Sequence, residues 1–64
     1  MKWVMIENRH INMNNVNGFF WENGQLVIVF NGDQFPARFK DQNQEKYLKL
    51  CHVMGVRPYE ESEV

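Results

Sequence analysis

Phe19-Phe20-Trp21-Glu22-Asn23-Gly24-Gln25-Leu26-Val27-Ile28-Val29-Phe30 is the stretch that decides the fold. Two runs of aromatic and β-branched residues flank an Asn-Gly pair. Such a pair selects a two-residue type I′ hairpin, because Asn and Gly both take positive φ at little cost. After Gln25 come five consecutive apolar residues, the pattern of a central strand covered on both faces.

Upstream of the hairpin, residues 3–7 form a short apolar run of strand character, followed by a turn placed at Asn8-Arg9. Residues 10–13 alternate polar and apolar with period two, and residues 14–18 are rich in turn formers. Downstream, Asn31-Gly32-Asp33 repeats the hairpin signal. Residues 34–39 alternate again, with Phe35, Ala37 and Phe39 on one side. Pro36 cannot donate to a ladder, which puts this strand at an edge or turns its Pro36 position outward.

Asp41 then reads as a helix N-cap, with Gln44 three residues later completing a capping box. Tyr47, Leu48, Leu50, Cys51 and Met54 recur at helical spacing, while Lys46 and Lys49 fall on the solvent side. Gly55 and Pro58 stop the helix, expected over residues 42–54. The expected class is α+β: a meander of four or five antiparallel strands, open to curling into a half-barrel, then one C-terminal helix. Residues 1–59 are expected to form a single domain, and 60–64 an acidic, disordered tail.

Composition narrows the chemistry. The 64 residues include no threonine, and the sole serine is Ser62, so the body lacks hydroxyl nucleophiles and Ser-His-Asp catalysis is excluded there. A single cysteine, Cys51, permits no intramolecular disulfide and fits a reducing compartment. The first charge after Lys2 comes at Glu7, too early for the apolar core of a signal peptide, so a cytoplasmic protein without membrane contact is expected. Net charge is −1. Residues 1–59 carry seven bases and five acids, a balance too weak for a strong nucleic-acid footprint.

Cys51-His52 on the helix, with His10 elsewhere, is the one arrangement resembling a metal or thiol site. Adjacent helical residues point about 100° apart, which suits neither shared ligation nor a four-ligand zinc site. Neither metal nor cofactor is expected. The carboxylates Glu7, Glu22, Asp33, Asp41 and Glu45 sit at strand ends, turns or caps, where solvation accounts for them. No enzymatic activity is expected.

The apolar residues are the stronger clue. One helix covers one sheet face, yet alternation sends large side chains to both. Leu26, Ile28 and Phe30 oppose Val27 and Val29, and Val4 and Ile6 oppose Trp3 and Met5. A leftover apolar face is closed by curling, by dimerisation or by a partner. The expected contact surface is the sheet face opposite the helix, with Trp3, Met5, Phe19, Trp21, Val27 and Val29 binding a second copy or another protein. The alternative is a nucleic-acid surface of Arg38, Lys40, Lys46 and Lys49, using phosphate contacts and aromatic stacking.

The order of segments also resembles two bacterial groups. An apolar-Asn segment (Ile11-Asn12-Met13-Asn14-Asn15-Val16) leads to an aromatic-acidic strand (Phe19-Phe20-Trp21-Glu22). A β-branched strand from Leu26 to Phe30 then turns at Asn31-Gly32 into another, before a capped helix at Asp41. This order is similar to that of the small FlbD-like flagellar-operon proteins and of the first half of LytTR DNA-binding domains, over about 40 of the 64 residues. LytTR domains continue past the helix with further strands and base-contacting residues, so no DNA-contacting residue carries over. The resemblance implies a small bacterial or phage cytoplasmic protein without a catalytic role.

Overall fold

The computed structural model describes residues 2–58. In chain order these form β1 (Trp3–Ile6), β2 (Arg9–Asn12), a 3₁₀ turn at Met13–Asn15, β3 (Val16–Glu22), β4 (Gln25–Phe30), β5 (Ala37–Lys40) and α1 (Glu45–Met54). The class is α+β. Five antiparallel strands meander through a two-stranded sheet, β1-β2, and a three-stranded sheet, β3-β4-β5, and do not close into a barrel. The expected tail at 60–64 lies outside the described residues.

The central hairpin forms as its sequence dictates. Asn23 and Gly24 both take positive φ, 53° and 76°, and Glu22 pairs with Gln25 across the turn. Positive φ at both central residues is the type I′ signature, whose twist matches that of the flanking strands. On β4, Leu26 faces Trp21 on one side and Phe39 on the other, while Ile28 faces Phe19 and Ala37. These two rows form the core side of the sheet.

A register shift between Val16 and Gly18 adds one residue to β3. Because side chains alternate, that extra residue reverses the parity, and Val16 packs against the core although Gly18, Phe20 and Glu22 share the reverse face. Helix α1 closes the core side with Tyr47, Leu50 and Cys51, all buried, and the Phe19 and Tyr47 rings meet edge to face at 6.1 Å. Ile6, Ile11 and Met13 complete the core from the β1-β2 hairpin and the turn after it.

Four local expectations need correction. The first turn sits at Glu7-Asn8 rather than Asn8-Arg9, with Glu7 at φ 56°. The second is the start of β5. It begins at Ala37, so residues 31–36 are a connecting loop, and Phe35 is 79% exposed there instead of joining Ala37 and Phe39. Pro36 lies just before the strand, where its missing N–H costs no ladder bond.

The third is the start of α1, at Glu45 rather than residue 42, and the fourth is its cap. Gln44, in the left-handed region at φ 64°, makes no side-chain cap bond, so there is no capping box. Asp41 does cap the helix, but across a loop: its Oδ1 and Oδ2 accept the N–H groups of Lys46 and Tyr47 at 2.8 Å each. At its other end the helix stops as expected. Gly55 takes φ 72°, its N–H donates to His52 O, and Val56 N–H donates to Cys51 O, the paired bonds of a Schellman motif.

Candidate functional site

The sheet face opposite the helix is already occupied by its own residues. Its central row runs Phe20–Val27–Arg38 across the three strands. Val27 is 0% exposed although it stands outside the main core cluster. A short side chain on the middle strand is screened by two long row-mates, one of them an arginine whose apolar stem can lie along the sheet. The Arg38 head is fixed by Gln25 Oε1 at 3.2 Å and lies 3.9 Å from Glu22.

Phe19 and Trp21 are on the other side. Both are half-buried against the core, and the Trp21 indole Nε1–H donates to the Asp41 carbonyl at 2.8 Å. The expected contact set therefore splits three ways. Phe19 and Trp21 belong to the helix side, Val27 and Val29 to the reverse face of the larger sheet, and Trp3 and Met5 to the β1-β2 hairpin. The parity of β3 relative to β4 decides this, and cross-strand register cannot be read from either strand alone.

Trp3 and Met5 are the two that remain open, at 56% and 63% exposed. In the register of β1 with β2 they stand in the rows Trp3–Asn12 and Met5–His10, whereas Val4–Ile11 and Ile6–Arg9 turn inward. Arg9 lies over the Phe39 ring at 5.4 Å from its centroid, which ties this hairpin to β5.

Beside β1 runs a groove of about 450 Å³. Its strand wall is residues 3–7, and its helix wall is Lys46, Lys49, Leu50 and Val53, one stripe of α1 at i, i+3, i+4 and i+7. Strand and helix are antiparallel here. At one end Lys2 Nζ donates to Val53 O at 3.1 Å, and at the other Lys46 Nζ lies 3.9 Å from Glu7 Oε2. Lys46 also donates to Lys40 O at 3.0 Å. Lys49 makes no ion pair among the described residues.

The edge of β1 facing this groove carries unpaired backbone. Met13 N–H donates to Lys2 O at 2.8 Å, so Lys2 and Met13 form a hydrogen-bonded pair and the bonding alternates from there. Val4 and Ile6 therefore spend their backbone groups on β2, and Trp3 and Met5 turn theirs outward. No other backbone group among the described residues meets them.

The four basic residues considered as a nucleic-acid surface do not gather. Arg38 and Lys40 lie in rows of the reverse face, while Lys46 and Lys49 line the groove. Cys51 is buried among core residues and His52, next to it, is exposed. Among the described residues, no helix is long and apolar enough to cross a membrane. Searches of family models, curated proteins and solved structures give no match.

Proposed function

We propose that this chain is a non-catalytic interaction domain whose contact surface is the open side of the β1-β2 hairpin and the groove beside it. The observation that carries this reading is the exposure of Trp3 and Met5 at the rim of a groove whose helix wall includes Leu50 and Val53. Large apolar side chains held on a strand are suited to anchoring a partner, and tryptophan is the residue most enriched at such anchors. The partner is a protein, a second copy of the chain included. The lack of serine and threonine in the body supports a binding role over a catalytic one, and lone Cys51 accords with a cytoplasmic setting. Kinship with the FlbD-like group belongs to the same proposal.

Trp3→Ala tests it. The variant should keep the circular dichroism and melting curve of the parent, because the side chain is largely in water. It should lose self-association by light scattering, or lose capture of whatever protein the parent retains. A variant that associates as the parent does would remove this surface from consideration.

A further inference from the structure

We infer that the groove is a strand-addition site, and that its occupant is an extended segment of another protein in which apolar residues alternate with acidic ones. This rests on the reading of the groove as a contact surface and specifies both how it binds and what it binds.

The backbone argument comes first. Sheet edges in soluble proteins are commonly blunted by shortness, charge, proline, a bulge or a covering element. Here β2 carries Arg9 and His10, β3 carries Gly18 and a register shift, and β5 follows Pro36 and carries Arg38 and Lys40. By contrast β1, Trp3-Val4-Met5-Ile6, is short at four residues but carries no charge, proline or bulge. Its Trp3 and Met5 N–H and C=O groups offer an incoming strand four hydrogen-bonding positions. The helix wall stands along the same edge, so the incoming strand would lay alternate side chains against Leu50 and Val53. Main-chain bonds to an edge, with pockets for alternate side chains, define this mode of recognition.

Charge then selects the occupant. Among the described residues, Lys46 and Lys49 line the groove and Lys2 closes one end, against one acid, Glu7, which Lys46 already approaches. The surplus is positive and centred on Lys49. Pairing of β1 with β1 of a second copy fits this rim poorly, because that strand has no acidic residue. In an alternating strand the apolar side chains face Leu50 and Val53, and the acidic ones, on the other face, feel the surplus lysine charge along the rim.

The test uses a capped synthetic hexapeptide alternating valine and glutamate, a lysine-for-glutamate counterpart, and a copy N-methylated at alternate amides. All are titrated into the ¹⁵N-labelled chain. The acidic peptide should shift the amides of Trp3, Met5, Lys49 and Val53 first, and added salt should weaken it. N-methylation on the bonding edge should weaken binding roughly tenfold or more, and Lys49→Glu about fivefold. Equal binding of the acidic and basic peptides would overturn the charge selection while leaving the groove a contact surface. Equal binding of the N-methylated copy would overturn strand addition. If no peptide binds but the chain self-associates through Trp3, the contact surface stands and the acidic occupant is wrong. If no peptide binds and Trp3→Ala changes nothing, both readings fall.

Discussion

Val27 in β4 and Met5 in β1 are both apolar strand residues that point away from the core, yet Val27 is sealed and Met5 is 63% exposed. The difference lies in their neighbours rather than in their own chemistry. Val27 sits on a central strand, so Phe20 and Arg38 flank it on both sides, and Gln25 and Glu22 steady the Arg38 head. Met5 sits on the edge strand of a two-stranded sheet, where its one cross-strand neighbour among the described residues is His10. A third strand on one side of Met5 would do for it what Phe20 and Arg38 do for Val27. The larger sheet thus screens its own central strand, although Phe20 at its side stays 39% exposed, and the smaller sheet has no central strand to screen.

This contrast can be broken from either side. The largest effect is expected at Asp41, the joint between α1 and the larger sheet. Its N–H donates to Gly24 O, its carbonyl accepts from Trp21 Nε1 and from Gln44 N–H, and its carboxylate caps Lys46 and Tyr47. Asp41→Ala should cost about 2–4 kcal/mol, since two charge-assisted caps are lost at a position only 4% exposed. Urea unfolding measures it, and a loss under about 1 kcal/mol would mean that α1 does not depend on this joint.

Trp21→Ala comes next, at about 2–3 kcal/mol, below the range for a fully buried aromatic because the side chain is half-buried. Chemical denaturation distinguishes this from the alternative placement of Trp21 on a contact surface, where stability would barely change and association would fall. Gly55→Ala should cost about 1 kcal/mol. Nothing lies within 4 Å of the added Cβ, so the cost is the positive φ alone. A melting curve checks it, and no change would show that the helix end relaxes without loss. The smallest effect on stability belongs to the open hairpin: Met5→Lys should change unfolding free energy by less than about 0.5 kcal/mol. If the open hairpin is the proposed contact surface, its signature is instead lost binding there, readable by titration with the acidic peptide.

Much of this architecture was legible because local chemistry and tertiary context agree. Asn23-Gly24 demands a tight hairpin, Gly55 demands a helix end, and the run from Leu26 to Ile28 demands a covered strand. The failures share a cause as well. Glu7 and Gln44 adopt positive φ although neither residue type favours it, so the nearby asparagine drew the first turn one place too far, and the helix was drawn back to Asp41. The extra residue at Val16/Gly18 is invisible to alternation, which assumes an unbroken period of two. The six residues expected to share one face are divided by parity. Which way Trp21 points relative to Val27 depends on the register of β3 against β4, a property of the pair. Trp3 and Met5 are the two of that set that are exposed, which follows from the edge position of β1. The groove was not anticipated, since Lys46 and Lys49 read as ordinary solvated positions until β1 is placed beside them.

The Asp41 joint also bears on how the amide protons behave. First-turn N–H groups of a helix ordinarily exchange with solvent quickly, because that end frays without disturbing anything else. Here the carboxylate that accepts from Lys46 and Tyr47 belongs to a residue whose backbone is held by Gly24 and Trp21, so the hairpin tip keeps the cap in place. Those two amides should therefore exchange more slowly than first-turn amides usually do, and Asp41→Ala should return them to the ordinary fast rate.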